Sequence, residues 1–149
     1  MPVFERATLV DAPLDRVWSF HSRIEGLEAL TPASAGLRVM SIDWPDEAEP
    51  PLLCEGTTIR LRTWPGVEWI SEITARHRDD EIAMFRDELV DGPLDRMRHS
   101  HWFVSLEKGT LVYDRLEYAA SFHVLSLAVK PFISIAFWDR HRRTKALLE

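Results

Sequence analysis

The chain has 149 residues, of which 46% are hydrophobic and 28% are charged, a composition typical of a globular protein. Its formal net charge of −6, with a basic run only near the C-terminus, argues against a nucleic-acid partner. Cys54 is the one cysteine, which excludes an internal disulfide and suits a reducing compartment. The sequence shows neither an apolar signal segment nor an apolar run long enough to span a membrane. We therefore predict a single cytoplasmic domain over residues 1–149, without integral membrane association.

The first thirty residues predict a strand followed by two short helices. Val3–Val10 alternates imperfectly between apolar and polar residues, and Asp11–Pro13 predicts a turn whose proline suits the start of a helix. Apolar residues then recur at helical spacing until Thr31–Pro32 ends the pattern. These positions are Leu14, Val17, Trp18, His21, Ile24, Leu27 and Leu30. On this apolar face, His21 is predicted to be a packing residue.

From residue 37 onward the apolar period changes to two, which predicts strands joined by short turns. The segment from Asp43 to Glu55 is rich in acids and prolines and predicts an exposed loop. The predicted strands of this part are Leu37–Ile42, Thr57–Trp64, Val67–Arg76, Glu81–Val90, Met97–Leu106 and Thr110–Ser121. Because consecutive strands with short connections pair with each other, the sheet is expected to be antiparallel and to follow the sequence order.

The last segment, from about Val124 to Glu149, is helical in pattern, with Pro131 predicting either a kink or the start of the main part. Its apolar stripe consists of Ile133, Phe137, Trp138, Thr144, Leu147 and Leu148. The order of elements predicts the α+β class, with a curved antiparallel sheet of about seven strands around this long helix. Such an arrangement leaves a concave space in which a small ligand can bind.

Three stretches resemble the SRPBCC superfamily, the START/Bet v 1-like group that includes polyketide cyclase/dehydrase-like and CoxG-like proteins. They are Phe85–Leu94 with Arg98–Phe103, then Gly109–Tyr118, and the helix positions Phe137, Arg140, His141 and Thr144. The resemblance spans nearly the whole chain and implies a helix-grip fold that binds hydrophobic ligands. The chain departs from many relatives at Ala120–His123, where they have a turn resembling Pro-Phe-Gly.

Polar residues alternate along three predicted neighbouring strands. Because side chains two residues apart share a strand face, His99 and His101 point to the same side. The tight turns are expected to bring Asp87 near His99, and His101 near Leu116, on that side. If that side is concave, a ligand would contact a larger set of residues. The predicted ligand-binding residues are Phe85, Asp87, His99, His101, Phe103, Asp114, Leu116, Tyr118, Ile133 and Phe137.

Three interpretations of the polar residues remain open. They form an inert hydrogen-bonded network, or they orient a polar group of a bound lipid, quinone or polyketide-like molecule. In the third, His99 or His101 works with Asp87 or Asp114 as an acid–base pair for cyclisation or dehydration. The two histidines also have a spacing that suits zinc, with one of the aspartates as third ligand. No other cysteine–histidine cluster supports a metal, so neither a metal nor a cofactor is predicted.

We therefore predict that the protein binds a small hydrophobic molecule, as a monomer or a homodimer. One alternative is a cofactor-independent cyclase or dehydratase, and another is a module whose groove accepts a segment of a protein partner. Cys54 has no histidine nearby in the sequence and is not expected to be a nucleophile. The tryptophans predicted to lie in the core are Trp64, Trp69, Trp102 and Trp138.

Overall fold

The computed structural model describes residues 2–30, 38–63 and 65–149, and within the last range it leaves the side chains of 123–126 undescribed. The elements follow the predicted order. They are β1 (Val3–Val10), α1 (Leu14–His21), α2 (Ile24–Leu30), β2 (Arg38–Asp43), β3 (Thr58–Thr63), β4 (Val67–Arg78), β5 (Ile82–Asp91), β6 (Arg96–Leu106), β7 (Gly109–Ala119) and α3 (His123–Leu148). The predicted helix end at Thr31–Pro32, Leu37 and Trp64 lie outside the described residues.

The seven strands form one antiparallel sheet in the order β1-β7-β6-β5-β4-β3-β2. Strands β3 to β7 pair with their neighbours in sequence because short turns join them, and β2 pairs with β3 across the longer segment 44–57. Helices α1 and α2 carry the chain from β1 to the opposite edge. Pairing of β4 with β5 shifts twice, at Ile70–Ser71 and at Ile73–Ala75, and such bulges increase the local bend of a sheet. The α+β helix-grip fold predicted from the sequence is confirmed.

The helices cover one face of the sheet, here called the inner face. Helix α3 turns Ile133, His141, Thr144 and Leu148 toward it, and all four side chains are buried. Trp138 is 51% exposed and Leu147 is also not buried, so their predicted place in the apolar stripe is wrong. Trp102 is not buried either, so the predicted core position of Trp102 and of Trp138 is wrong as well. Trp138 follows Phe137 directly, and a step of one residue turns a helical side chain about 100° away from the packed face.

Helix α3 begins eight residues before Pro131, so of the two alternatives predicted for this proline the start of the main part is wrong, and the kink stays a prediction. The segment before β3 also differs from the expected exposed loop. Leu53 is buried, and its backbone N–H donates a hydrogen bond to Ser22 O at 2.9 Å. This apolar side chain packs with Ile59 and Ile73 on the inner face, which explains why it leaves the surface. None of the described helices has the length and apolar character needed to cross a bilayer.

Gly26 in α2 is a position where the helix packs too closely for any side chain. A Cβ atom placed there would lie 1.8 Å from the carbonyl oxygen of Phe20 in α1. On an exposed helix, replacing glycine by alanine would stabilise the protein by about 1 kcal/mol. Here we expect Gly26→Ala to lower the free energy of unfolding by about 2–3 kcal/mol because the helices must separate.

This expectation is checked by urea denaturation of Gly26→Ala. Glu28→Ala, at an exposed position on the same helix, serves as the control. An increase in stability for Gly26→Ala would contradict the close packing of α1 on α2.

Candidate functional site

The register of the sheet brings the predicted polar residues together on the inner face. Asp87 pairs with His99 as predicted from the sequence. His101 pairs with Asp114, and Leu116 lies opposite His99 instead, so the predicted contact of His101 with Leu116 is wrong by two residues. A shift of two residues keeps every side chain on the same face of the sheet, so the predicted polar residues still lie together on the inner face.

The Asp114 carboxylate is the centre of the site. His99 Nε2 and His101 Nδ1 each lie 2.8 Å from Asp114 Oδ1, and His141 Nε2 of α3 lies 2.5 Å from Asp114 Oδ2. Asp114 is only 2% exposed, so its charge is removed from water and is compensated by these three imidazoles. Thr8 Oγ1 of β1 lies 2.8 Å from the other ring nitrogen of His141.

Asp87 lies on the other side of the two histidine rings of β6. Its Oδ1 is 3.2 Å from His101 Nε2 and 3.7 Å from His99 Nδ1. Each of these rings therefore has one nitrogen directed at Asp114 and the other directed at Asp87. Because a carboxylate only accepts hydrogen bonds, His99 donates from Nε2 to Asp114. Its other nitrogen, Nδ1, faces Asp87 at the longer of the two distances.

Burial and charge act in opposite directions on these groups. Burial by itself would raise the pKa of Asp114, but the charge and hydrogen bonds of the histidines hold that pKa well below its ordinary value. Burial would lower the pKa of His101, whereas Asp114 and then Asp87 raise it overall. The pKa of His99 is lowered, first by burial and then by the charge of His101. The pKa of Asp87 is lowered because hydrogen bonding and charge from the histidines outweigh its burial.

Aromatic rings enclose the polar centre, a name used here for Asp87, His99, His101, Asp114 and His141. Phe85 stacks on His101 with ring centroids 4.0 Å apart, and Phe137 of α3 meets His99 edge to face at 4.9 Å. Phe103 is fully buried beside Phe85. Phe137 and a further three predicted ligand-binding residues belong to one apolar cluster around the site, the three being Leu116, Tyr118 and Ile133. Eight of the ten predicted residues thus lie on the inner face of the sheet, and the other two, Ile133 and Phe137, lie on the side of α3 that packs against it.

A small enclosed space lies beside this centre, under α1 rather than under α3. It measures about 10 Å³, which suits a single water molecule. Its lining includes Ser22, whose buried Oγ has no hydrogen-bond partner among the described residues, so a water there would satisfy it. Of the residues predicted to contact a ligand, Phe85 borders this space.

Four residues near the two carboxylates were not identified as site residues from the sequence. His141 lies in a run of basic residues, a pattern typical of a solvated helix end, but it is 2% exposed and bonds to Asp114. Its spacing from Phe137, Thr144 and Leu148 on one helix face was a usable signal, because buried helix positions recur every three or four residues. The other three are Thr8, Arg6 and Arg140.

His21 of α1 is a packing residue, as its apolar neighbours predicted. It is buried, its Nδ1 donates to Val17 O at 2.8 Å, and its ring lies 4.7 Å from Phe103. Burial, and then the charge of Arg140, lower the pKa of His21 to about 3. The imidazole is therefore neutral throughout the physiological range.

Comparisons with known proteins agree with this architecture. Residues 10–143 match the model of a family described as polyketide cyclase / dehydrase and lipid transport. No curated protein sequence matches the chain significantly.

Among solved structures, norcoclaurine synthase from Thalictrum flavum in complex with dopamine and hydroxybenzaldehyde is similar at 17% identity and a TM-score of 0.67. The match covers 99% of this chain and 86% of that one. TTHA0849 from Thermus thermophilus has 20% identity and a TM-score of 0.63, over 99% and 100% of the chains. A nucleoside-diphosphate sugar epimerase from Corynebacterium glutamicum has 20% identity and a TM-score of 0.66. The match covers 96% of this chain but only 28% of the epimerase. At these identities the likenesses show a shared fold.

Replacing Asp114 by asparagine removes the charge at the centre while keeping its size. We expect Asp114→Asn to lower the free energy of unfolding by about 3–5 kcal/mol at neutral pH, because breaking a buried ion pair leaves the histidines uncompensated. Asp139→Asn is the matched control. Asp139 pairs with Arg142 and Arg143 on the surface of α3 and, within the described part of the chain, with no other group, so the change in stability should be less than about 1 kcal/mol. Equal losses in the two variants, measured by urea denaturation, would contradict the central role of Asp114.

The pKa of His21 predicts a specific pH dependence. Between pH 6.5 and about 3 the unfolded chain binds a proton at His21 that the folded chain does not. Stability is therefore lost as pH falls through this window, by at most about 1.4 kcal/mol per pH unit from this group. His21→Asn keeps a donor near Val17 O and should make the free energy of unfolding depend less steeply on pH. An unchanged slope between pH 6 and 4 would show that His21 is not held neutral.

Proposed function

The chain belongs to the polyketide cyclase / dehydrase and lipid transport family, and on that basis we propose that it binds a small, largely apolar molecule between the sheet and α3. The polar group of that molecule would lie against Asp87 and His99, and its apolar part against the surrounding aliphatic and aromatic side chains. The domain is thus a ligand-binding one, and the ligand is an apolar molecule with one polar end.

The observation that carries this proposal is a polar centre that is accessible from one side only. The side chains of Asp87 and His99 keep 18% and 10% of their surface exposed, whereas those of His101, Asp114 and His141 keep 5% or less. Apolar residues surround the accessible side. A ligand whose polar end reaches Asp87 and His99 would place its remaining atoms among those residues.

Helix α3 offers a route to this region. Its C-terminal half is fastened to the sheet by His141, and Lys145 Nζ donates to Leu9 O at 3.1 Å. In its N-terminal half the described side chains are mostly exposed, and Ile133 with Phe137 supplies the contact with the inner face. Displacing this half would expose apolar surface, and a ligand that reburies it gains about 25 cal/mol per Å², less the costs of binding.

Arg6 of β1 indicates what kind of polar group the ligand carries. Arg6 lies opposite Asp114 in the register of β1 with β7, so it shares the inner face. Its Nε is buried and has no hydrogen-bond partner among the described residues. A buried donor without a partner costs free energy, and a carbonyl or carboxylate oxygen of a ligand would satisfy it.

Norcoclaurine synthase holds dopamine and hydroxybenzaldehyde within a similar fold, which supports a small aromatic or apolar ligand in this chain as well. The cyclase or dehydratase alternative would use the same residues, and turnover of a bound substrate would distinguish it from binding alone. That alternative stays a prediction, as do the protein-partner module, the oligomeric state and the cytoplasmic location.

Filling the region under α3 tests the proposal. We expect Ile133→Trp to weaken the binding of 1-anilinonaphthalene-8-sulfonate at least ten-fold, because the larger indole would take up the room that displacement of this half of α3 opens for the probe. Trp138→Ala is the matched control on the exposed side of the same helix and should leave the dissociation constant unchanged. Both are measured by equilibrium fluorescence titration.

Equal affinities of Ile133→Trp and the wild type would contradict a site under α3. Loss of binding in Trp138→Ala alone would place the probe on the outer surface and would also overturn the proposal.

A further inference from the structure

Three side chains of the polar centre place possible metal-ligand atoms close to one another. One donor atom from each of Asp87, His99 and His101 lies within 4.8 Å of the others. Asp87 Oδ1 is 3.2 Å from His101 Nε2 and 3.7 Å from His99 Nδ1. Four-coordinate zinc has bonds of about 2.0–2.2 Å, which place neighbouring ligand atoms about 3.3–3.5 Å apart. The observed spacings bracket this value.

From this geometry we propose that Asp87, His99 and His101 bind a divalent transition-metal ion such as zinc. The ligand atoms are Asp87 Oδ1, His99 Nδ1 and His101 Nε2. Two imidazoles with one carboxylate form a donor set that suits zinc and iron(II), and the strand positions two residues apart project both rings to the same side.

Asp114 supplies the second, independent observation. The ring nitrogens of His99 and His101 that face away from Asp87 are both 2.8 Å from Asp114 Oδ1. A histidine that binds a metal commonly donates its other N–H to a carboxylate, which fixes the tautomer and the orientation of the ring. One buried carboxylate performs this role for both rings at once. Asp114 is therefore a positioning residue for the site.

The charges of the centre also favour a cation. Asp87 and Asp114 bring two negative charges into a region with little access to water. Arg140 acts on Asp87 and on His101, and Arg6 lies opposite Asp114, so both arginines oppose a cation. Among the described residues, however, neither arginine forms an ion pair with either carboxylate, and the carboxylates are the charged groups that contact the two histidines.

Three protein ligands leave at least one coordination position for another group. On the proposed function this position would be open to the bound molecule, because Asp87 and His99 are the ligands that keep part of their surface exposed. An oxygen of the bound molecule would reach the ion there, and this extension rests on the proposed function. Metal binding itself does not, because it requires only the three side chains.

The test uses the full chain after treatment with a chelator and in the absence of any organic ligand. The protein is titrated with Zn²⁺, followed by calorimetry, and with Co²⁺, followed by visible absorption. We expect one equivalent to bind with a dissociation constant of micromolar or tighter, with ligand-field bands appearing for Co²⁺. His99→Ala and Asp87→Asn should each weaken binding at least 100-fold. Asp114→Asn should weaken it about 10- to 100-fold, as is usual for a residue that orients metal ligands.

His77→Ala is the matched control, because His77 forms an exposed pair with Asp79 outside the site. It should bind the metal as the wild type does. Asp87→Asn preserves side-chain size at a partly exposed position, and near-ultraviolet circular dichroism verifies that it is folded.

The inference is overturned if the wild type binds no stoichiometric ion, if folded Asp87→Asn binds as well as the wild type, or if His77→Ala abolishes binding. Because no organic ligand is present, these outcomes are independent of the site under α3.

Discussion

The buried carboxylate of Asp114 is the constraint on which the rest of the site depends. A charge with 2% exposure is costly unless it is compensated, and here two imidazoles of β6 and one of α3 provide the compensation. The bond to His141 fastens α3 onto the sheet, and the bonds to His99 and His101 set the direction of both rings. The Asp114 carboxylate therefore determines where α3 lies on the sheet, how the rings of His99 and His101 are oriented, and which of their nitrogens face Asp87.

This arrangement divides α3 into two parts with different roles. The part from His141 onward is held by polar contacts with β1 and β7, as seen at Thr8 and Leu9. The part before it contacts the sheet through apolar side chains, which can separate and repack without leaving a buried charge unpaired. On the proposed function, displacement of this first part would admit an apolar molecule while the contacts of Asp114 stay intact.

Much of the fold was predictable because alternation along strands and short turns determine which residues share a face. Asp87, His99 and Asp114 were placed together by that reasoning, since a register error of two residues leaves the face unchanged. The contribution of His141 was not predictable in the same way. Its partner is 27 residues away, and its charged neighbours in the sequence suggested a solvated helix end.

The burial of Leu53 was missed for a related reason. The acids and prolines around it indicate a loop, and composition says little about one apolar residue that the loop turns inward. A metal site was weighed from the spacing of His99 and His101 and was not predicted, because no other cysteine–histidine cluster supports one. The contacts of Asp114 with both rings, on which the proposed site depends, appear only in three dimensions.

Long-range ¹H–¹⁵N nuclear magnetic resonance of the imidazole nitrogens, recorded on chelator-treated protein at neutral pH, tests the central claim most directly. If Asp114 orients the rings, His99 carries its proton on Nε2 with a bare Nδ1, and His101 carries a proton on Nδ1. A proton found on Nδ1 of His99, or rapid averaging of both rings as in exposed histidines, would contradict the account.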